Sequence, residues 1–590
     1  MNTTQSKIRE TDQFELPVTN KPSVNGYDIY PVFSVPDGNI AIGYDTLAKE
    51  LAQYNCIKID GYGGIRFNDV KQKLNEAFIV LGVQPTWVTI ESALKPEHEI
   101  DEMIAPFLGG DDPVFGKIAN LELSDFYNAE ALNELCSAQH GGGLVIYYGI
   151  GAHMLPVEAK TVYFDISKNE IQFRSRAGSV TNLGSGSAFN PKKMYKRFYF
   201  VDWVVLNKHK NTVKAAIDYL VDGQRTDEIT WTTGNTWRDS ISKLSQSPIR
   251  VRPWFEPGVW GGSWIKDRIE GLEKNVPNYA WSFELIVPEN GIIIESAGVM
   301  LEYSFDFLMY SAGRNVLGTD FDTYKYEFPI RFDFLDTFDG GNLSIQCHPQ
   351  LEYMHQHFGE AITQEETYYI LDKKDDALVY LGFQENINPD EFRQALEHSA
   401  DNAVALNITD YVQAFKANKH DLYLIPPGTI HGSGENNLVL EISATPYIYT
   451  FKMYDWVRLD MDGKPRPINI DRGMENLNFE RKGDKVSAEL ISSPKVIETG
   501  DDWTLEHLPT HANHLYDVQR YSITTEVTIA TRQKAHVLSL VEGEHIEVIV
   551  EGKSTVFAYA ETFIIPAACN HYTIKNNSDS PALVVKSFIK

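Results

Sequence analysis

The sequence predicts an α/β domain followed by a longer, mainly β part. Between Tyr27 and Ser247, short apolar runs alternate with segments of helical spacing. This alternation is typical of a largely parallel sheet covered by helices. From about Arg250 onward, short strands, aromatic residues and Gly/Pro turns prevail, which indicates a β-barrel or a β-sandwich.

The length of the chain favours several domains. With 590 residues, we expect roughly three or four domains of about 150 residues each. The predicted division has four parts: a polar N-terminal arm (1–25), the α/β domain (26–247), a metal-binding barrel (248–465) and a second barrel without the metal set (466–590). A helical insertion in the first barrel is expected at about 389–416.

The α/β domain is predicted from apolar runs bounded by turn residues. Helical spacing over 68–81 predicts one helix, and a second is expected to run from about 203 to about 221. The predicted strands are 57–60, 87–90, 143–149 and 161–165.

The last section repeats the strand-and-turn style of the first barrel. Val537–Glu544 and Thr562–Ala568 look like the two halves of a small barrel, and the second of them echoes Leu424–Gly428. Two related barrels in tandem are therefore expected. His571 falls where the second barrel would place a ligand, but no partner set accompanies it, which favours a structural role.

Composition excludes several classes of partner. The net charge of −28 would repel the phosphates of nucleic acids and anionic membranes, although a local basic pocket could still hold a phosphosugar. We find no run of about 18 apolar residues. The four cysteines are scattered and form no CxxC pair, which favours a reducing compartment. We expect a cytoplasmic enzyme that acts on a small molecule.

Gln346 and His348 are the first sign of a functional site. They alternate with Ile345 and Cys347 in Leu343–Pro349, and alternate side chains of a strand point to the same face. An amide oxygen beside an imidazole nitrogen is a plausible half of a metal site. The alternative is a pair of polar residues on an exposed strand face.

Glu366 and His431 are the other two ligand candidates. A Gln/His/Glu/His set indicates a catalytic centre, because structural zinc sites usually close with Cys and His. His355 and His357 are rival ligands, but we expect both on a helical turn, near the centre or at the surface.

Four segments carry a resemblance to a known family: Leu343–Pro349, Glu366–Leu371, Ile425–His431 and Leu440–Ser443. They follow in the order seen in type I phosphomannose isomerases (mannose-6-phosphate isomerases of the cupin superfamily). Gly258-Val259-Trp260-Gly261-Gly262 also looks like the Trp-Gly-Gly motif of that family. The resemblance covers roughly residues 250–590.

The resemblance implies cupin-type β-barrels and one zinc ion per chain. By motif match, the zinc ligands would be Gln346, His348, Glu366 and His431. It further implies an aldose–ketose isomerase that interconverts mannose 6-phosphate and fructose 6-phosphate, or a related sugar, through a cis-enediol intermediate.

Two positions depart from the family pattern. Gln364 stands where the family has a substrate-holding lysine, and Lys452 replaces an arginine of the Arg-x-Tyr-Asp run. Lysine keeps the positive charge but loses the planar fork that pairs with phosphate. The zinc ligands are retained, while recognition of the phosphate and of mannose is altered.

Lys452 and Glu441 are the predicted catalytic residues. Lys452 would offset the negative charge that develops on the substrate, and Glu441 is the first choice as general base. Two alternatives stay open: Glu441 acts only by supporting a ligand, or Lys452 is itself the base. A non-catalytic regulator that binds metal and sugar is the rival function.

The loop Asp60–Arg66 lies after a strand and before a helix, the position of a phosphate-binding loop. Residues 198–203 are also similar to uridine-kinase-like P-loop proteins. The Gly-Lys-Ser/Thr ending that grips phosphates is absent. A degenerate kinase-like domain without ATP turnover is favoured over a bifunctional enzyme with a working kinase.

Overall fold

The structure is a computed structural model that describes residues 7–20, 26–110, 112–137, 143–287, 289–460, 463 and 465–590. Of the predicted polar arm, residues 1–6 and 21–25 lie outside the described residues.

The strands, in chain order, are β1 (Val32–Ser34), β2 (Ile40–Ile42), β3 (Cys56–Gly61), β4 (Thr86–Thr89), β5 (Val145–Tyr148), β6 (Lys160–Asp165), β7 (Ile217–Asp222), β8 (Thr230–Thr233), β9 (Trp254–Glu256), β10 (Trp281–Leu285), β11 (Gly291–Ser296), β12 (Val299–Ser304), β13 (Ile330–Asp336), β14 (Ile345–Cys347), β15 (Glu365–Lys373), β16 (Leu378–Phe383), β17 (Val412–Lys416), β18 (Leu422–Ile425), β19 (His431–Ser433), β20 (Asn437–Ala444), β21 (Phe451–Tyr454), β22 (Lys495–Thr499), β23 (Trp503–Leu508), β24 (Tyr516–Ile523), β25 (Glu526–Ala530), β26 (His536–Glu542), β27 (His545–Val550), β28 (Lys553–Ala558), β29 (Thr562–Ile565), β30 (His571–Lys575) and β31 (Ala582–Ile589).

The α-helices are α1 (Tyr44–Leu51), α2 (Phe67–Val80), α3 (Glu97–Ile104), α4 (Ala129–Ser137), α5 (Lys168–Arg176), α6 (Pro191–Arg197), α7 (Trp203–Val213), α8 (Gly234–Leu244), α9 (Trp264–Arg268), α10 (Asp306–Leu317), α11 (Phe321–Tyr324), α12 (Leu351–His357), α13 (Pro389–Asn402), α14 (Ile470–Asn476) and α15 (Asp484–Leu490). None of the helices in the described part of the chain is long and apolar enough to cross a membrane.

The chain forms two compact units that interleave in sequence. The first consists of 1–22, 30–245 and 287–313, and the second of 23–29, 246–286 and 314–590. The segment 287–313, which carries β11, β12 and the start of α10, thus belongs with the α/β part of the chain.

The main sheet of the first unit has the strand order β2-β8-β7-β6-β3-β5-β4. The pairs β3–β5, β3–β6, β4–β5 and β6–β7 are parallel, and β8 and β2 add antiparallel edge strands. The predicted α/β character is confirmed, and each of the four predicted strands corresponds to one of β3 to β6.

The predicted helix from about 203 to about 221 is too long. The helix α7 ends at Val213, and residues 217–222 form the buried strand β7. Before α7, the residues Phe198–Asp202 form a π-helical turn that continues α6. The error arises because a buried apolar run such as that of β7 has no period that separates a strand from a buried helix.

The loop after β3 is held by a carboxylate. The backbone amides of Gly61, Gly151 and His153 donate to the Asp60 carboxylate, and His209 Nε2 lies 2.8 Å from it. These contacts fix the loop from within the unit. The predicted likeness to P-loop kinases stays a prediction.

The second unit is mainly β, as predicted, and contains four antiparallel sheets. The first two have the strand orders β18-β15-β20-β13-β10-β9 and β17-β16-β19-β14-β21. The other two have the orders β22-β23-β24-β31-β26-β29 and β25-β30-β27-β28. In the described residues, no sheet closes into a single continuous barrel.

The first part of the helical insertion predicted at about 389–416 is confirmed, and the last part is wrong. The helix α13 covers Pro389–Asn402, begins with Pro389 and is capped by the Asn388 side chain. Residues 412–416 instead form β17, which pairs with β16 at the edge of its sheet. Pairing with a neighbouring strand overrides local helical spacing here.

Three cross-strand rows position the site on one face of the six-stranded sheet. Side chains directly opposite each other on paired strands share a face, and so do residues two apart along a strand. The rows are Arg331/Ser443/Glu366, Asp333/Glu441/Tyr368 and Leu335/Val439/Ile370. The first two rows are polar, and the third belongs to the apolar core.

Candidate metal centre

Gln346 lies on β14, which is paired between β19 and the edge strand β21 of the five-stranded sheet. On β14 it is opposite His431 of β19 on one side and opposite Lys452 of β21 on the other. Cross-strand partners share a face. The sheet register therefore brings together three residues that are far apart in sequence.

The four predicted ligands converge on one buried point. His348 Nε2 lies 3.0 Å from Glu366 Oε1, and His431 Nε2 lies 3.5 Å from Glu366 Oε2. Gln346 Nε2 lies 3.4 Å from His431 Nε2. Gln346 is 7% exposed and the other three are at most 1% exposed.

Both imidazole rings are oriented by backbone carbonyls. His348 Nδ1 lies 3.0 Å from the Tyr449 carbonyl, and His431 Nδ1 lies 2.9 Å from the Thr429 carbonyl. A carbonyl only accepts, so each Nδ1 carries the proton and each Nε2 presents its lone pair to the centre. Metal-binding histidines usually donate the ring N–H that faces away from the ion to a carbonyl or carboxylate in this way.

The turn before His431 is fixed by two features. Gly428 has φ +80, and a Cβ there would lie 2.5 Å from the backbone oxygen of Asn476, so only glycine fits. Arg481 Nη1 donates to the carbonyls of Pro426 and Pro427. The turn thus holds the start of β19, and with it His431, in place.

The amide of Gln346 presents its nitrogen to His431 while its Oε1 accepts from the Ser344 hydroxyl at 2.9 Å. A half-turn of the amide exchanges oxygen and nitrogen without moving the backbone. That rotation would direct the oxygen, the atom able to act as a ligand, to the centre.

The donor set fits a divalent metal. The ligand atoms of His348, Glu366 and His431 all lie within 4.8 Å of one another. Within the described residues, neither His348 Nε2 nor Glu366 Oε2 has an aligned hydrogen-bond partner, although both are buried. Buried polar atoms normally have partners, and a metal ion would supply one to both. Nitrogen and oxygen donors of this kind suit zinc.

The ionisable side chains of the centre change one another's pKa values. Burial acts to raise the pKa of Glu366, but His348 and His431 outweigh it and hold this pKa well below its usual value. Burial lowers the pKa of His431. Both directions favour the ionised carboxylate and the neutral imidazole, which are the states that bind metal.

Glu441, the predicted base, lies directly beside the candidate ligand Glu366. Its side chain hydrogen-bonds to Glu366 and Ser443, and burial together with Asp333 raises its pKa well above the usual value. It is 9% exposed. A carboxyl group in this position can either support Glu366 or accept a proton from a substrate bound at the centre.

Asp333 is a residue of the centre that sequence reasoning missed. It is opposite Glu441 on β13 and 6% exposed, and burial with Glu366 nearby raises its pKa well above the usual value. Arg331, two residues earlier, offsets part of this effect. The signal was present: charged residues at 331 and 333 alternate with phenylalanines in a strand buried on both faces.

Gln364 and Lys452, the two departures from the family pattern, both belong to the surroundings of the centre. Gln364 Nε2 donates to Glu366 Oε1 at 2.6 Å, and its Oε1 accepts from the Tyr449 amide at 2.7 Å. Lys452 is partly buried on β21, opposite Gln346. Gln364 thus links two groups that hold the ligands.

The rival ligands lie elsewhere. His355 and His357 are exposed on α12, and His357 stacks on Tyr353 with ring centroids 4.0 Å apart. Cys347 Sγ points to the Gly473 carbonyl at 3.9 Å. His571 is exposed at the start of β30.

Two sets of known proteins match this chain. A family described only as a domain of unknown function (DUF8485) matches residues 43–246. The probable mannose-6-phosphate isomerase GmuF of Bacillus subtilis is 25% identical over 333 residues, which is 56% of this chain and 97% of GmuF. The mannose-6-phosphate isomerase ManA of the same organism is 24% identical over 232 residues, 39% of this chain and 68% of ManA.

Solved structures of two such proteins align with part of this chain. The crystal structure of mannose 6-phosphate isomerase from Bacillus subtilis aligns with 58% of this chain and 99% of its own, at 22% identity and a TM-score of 0.48. A phosphomannose isomerase mutant from Salmonella typhimurium aligns over 58% of this chain and 100% of its own, at 14% identity and a TM-score of 0.46. The sequence matches establish homology with mannose-6-phosphate isomerases over about 56% of the chain.

Proposed function

We propose that this protein is a zinc-dependent aldose–ketose isomerase acting on a sugar or sugar phosphate. The observation that carries the proposal is the convergence of His348, Glu366 and His431 on one buried point. Homology with mannose-6-phosphate isomerases over about 56% of the chain supports it. A substrate of the mannose and fructose type is the first candidate.

Gln346, His348, Glu366 and His431 would hold the ion, one per chain. Bound zinc would supply a Lewis acid that polarises the substrate carbonyl. The carbonyl contacts of the two Nδ1 atoms keep both imidazoles in the binding tautomer. The buried positions exclude bulk water, which strengthens each electrostatic interaction.

Glu441 is proposed to move the proton between C1 and C2 of the substrate through a cis-enediol. It must come within hydrogen-bond reach of that proton, and its place beside Glu366 supports this role. Lys452 would offset the negative charge that develops on the substrate oxygens. The converse assignment, with Lys452 as base and Glu441 supporting Glu366, fits the same neighbours.

A regulator that binds metal and sugar without turnover is the second candidate. It is favoured by Gln364 and Lys452, which alter two positions that the resemblance assigns to substrate binding. Such a protein would bind zinc and sugar stoichiometrically and interconvert neither aldose nor ketose.

The two pairs of sheets in the second unit support a tandem cupin-type architecture in which the second pair lacks the metal set. The four cysteines are free thiols, which supports a reducing compartment such as the cytoplasm. The α/β unit is proposed to have no ATP turnover, because its strand-end loop carries Asp60 and lacks the phosphate-gripping lysine.

The test is an isomerisation assay on the purified full-length protein. Mannose 6-phosphate, fructose 6-phosphate, mannose and fructose are each supplied, with and without a chelator. We expect turnover of at least one pair, lost with chelator and restored by zinc. No turnover on any of them with stoichiometric zinc bound would contradict the isomerase and favour the regulator.

Two variants sharpen the assay. His431→Ala should remove both zinc and activity, because it deletes one of four ligands. His355→Ala is the matched control, since His355 is exposed on α12, and it should leave both unchanged. Activity retained in His431→Ala would refute the assigned centre.

A further inference from the structure

We propose that the preferred substrate is an uncharged sugar and not a sugar phosphate. This inference rests on the isomerase function proposed above and specifies its substrate class. It departs from the relatives, whose names refer to mannose 6-phosphate. The observation behind it is a set of three buried carboxyl groups on the sheet face that carries the centre.

Three buried carboxyl groups lie on one face of the six-stranded sheet. Asp333 and Glu441 are opposite each other on β13 and β20, and Glu366 lies on β15 in the next row. Their exposed fractions are 6%, 9% and 1%. Whatever their protonation, carboxyl groups cannot supply the positive charge that a phosphate dianion needs once it leaves water.

Arginine and lysine side chains on the strands that carry the centre are few, and some of them already bind other groups. On the described strands β13 to β15 and β19 to β21, the basic residues are Arg331, Lys452 and Lys373. Arg331 Nη2 donates to the Pro446 carbonyl, and its charge acts on Asp333. Lys373, at the far end of β15, pairs with Asp375.

Lys452 is then the basic group opposite a predicted metal ligand. Under the proposed mechanism it offsets the charge that develops at the reacting carbons. The same single charge cannot also neutralise a distant phosphate dianion. Next to the centre, Gln364 provides a neutral amide whose nitrogen and oxygen are bound to Glu366 and to the Tyr449 amide.

The same set of groups suits the hydroxyls of a sugar. Carboxyl oxygens accept hydrogen bonds in either protonation state, and sugar hydroxyls are donors that match them. Arg331 and Lys452 can in turn donate to hydroxyl or carbonyl oxygens. These three carboxyl groups therefore favour a sugar with free hydroxyls and disfavour an added phosphate.

The experiment compares kcat/KM for mannose with kcat/KM for mannose 6-phosphate, using the zinc-loaded full-length protein. We expect a preference of at least about tenfold for the free sugar. A second readout is independent of turnover: calorimetric titration with sorbitol and with sorbitol 6-phosphate, in which sorbitol should bind the more tightly.

A charge-adding variant tests the cause. Gln364→Lys places a cation beside the centre and should shift the ratio of kcat/KM values toward the phosphosugar by about tenfold. Gln364→Leu is the matched control, because it removes the same amide without adding charge. It should lower both kcat/KM values together and leave their ratio unchanged. Zinc content is measured for both variants so that loss of metal is recognised.

The possible outcomes distinguish a wrong substrate class from a wrong enzymatic function. Preferential turnover and tighter binding of the phosphorylated compounds would overturn this inference while leaving the isomerase intact. An equal shift of the ratio in Gln364→Leu would also overturn it, since charge would then not be the cause. Absence of turnover on every sugar, with zinc bound, would instead overturn the proposed isomerase.

Discussion

Each histidine of the centre is aimed by a contact on the far side of its ring. Because the carbonyls of Tyr449 and Thr429 accept hydrogen bonds from the two Nδ1 atoms, the Nε2 atoms are left to face Glu366. Glu366 is in turn held by Gln364. The geometry of the ligands therefore depends on residues that contact no metal themselves.

Gln364→Ala tests this dependence. The variant removes the bridge between the Tyr449 amide and Glu366 without touching a ligand. We expect zinc affinity to fall about 10- to 100-fold, measured by competition with a chromogenic chelator. Gln356→Ala, on the exposed face of α12, serves as control. An unchanged affinity in Gln364→Ala would show that Glu366 is positioned without this bridge.

For single residues, the sequence predicted four candidate ligands that the structure brings close together, but it did not predict all of their surroundings. Strand alternation places Gln346 and His348 on one face, and motif order added Glu366 and His431. Asp333 was missed because it lies on β13, and its approach to Glu441 depends on a strand register that no local pattern encodes. The same applies to the carbonyl of Tyr449.

Single elements of the sheets combine polar and apolar roles. On β15, Glu366 and Tyr368 face the centre, and Ile370 continues the same face into the apolar core. On the opposite face, the Tyr516 hydroxyl donates to the Ile442 carbonyl of β20 at 2.6 Å. The strand is buried on both faces, so alternation of polar and apolar residues is a poor guide to it.

Ile370→Ala measures how far the apolar row supports the sheet. Ile370 is fully buried, and removing its outer carbons leaves a cavity, which costs about 2–5 kcal/mol of unfolding free energy. Urea denaturation gives the value. Val404→Ala, at a position 49% exposed, should stay within about 0.5 kcal/mol of the parent. A loss in Ile370→Ala as small as that would contradict the packing.

His514 predicts a pH dependence of stability. Burial, reinforced by His511, lowers its pKa to about 3, while a histidine in the unfolded chain has a pKa of about 6.5. The folded state thus binds fewer protons, and its stability falls as the pH drops below about 6.5. Between pH 7 and pH 5 we expect this residue to account for a loss of about 2 kcal/mol.

The check compares urea denaturation of the parent and His514→Phe at pH 7 and pH 5. Phenylalanine keeps a ring that can stack on Tyr516, as His514 does with centroids 5.4 Å apart. The variant should lose about 2 kcal/mol less than the parent on acidification. His398→Phe, at an exposed position, should match the parent. An identical pH response in His514→Phe would refute the assignment.

Among the single elements, a helix was predicted correctly where its length and its capping residues agreed. Asn388 and Pro389 mark the start of α13, whereas the edge strand β17 carried no comparable signal and was assigned to the helix. The end of α7 was missed for a related reason, since the buried run of β7 follows it after a short turn. Local patterns cannot reveal pairing with distant strands.

On the scale of the whole molecule, the chain is interleaved. Residues 287–313 leave the mainly β region and join the α/β unit. There, Asp306 lies 2.5 Å from Lys168, and Ser304 accepts from Lys210 at 2.7 Å. Sequence composition changes near residue 250 and carries no sign of this return, because the exchange depends on tertiary contacts.

The buried ion pair predicts how firmly the returning segment is held. Lys168 and Asp306 side chains are 1% and 6% exposed, so Asp306→Asn leaves a buried ammonium without its partner and should cost about 3–5 kcal/mol. Adding Lys168→Met should recover most of this loss. Thermal unfolding of the parent, the single variant and the double variant measures the recovery. Additive losses in the double variant would contradict a direct coupling.

His348, Glu366 and His431, with Gln346, are proposed to bind one zinc ion. Anomalous X-ray diffraction at the zinc absorption edge, on crystals of the zinc-loaded protein, tests it most directly. We predict one strong peak about 2.0–2.1 Å from Nε2 of each histidine and about 2.0–2.2 Å from a Glu366 oxygen. A protein with bound zinc whose peak lies elsewhere, or crystals without a peak at this point, would contradict the account.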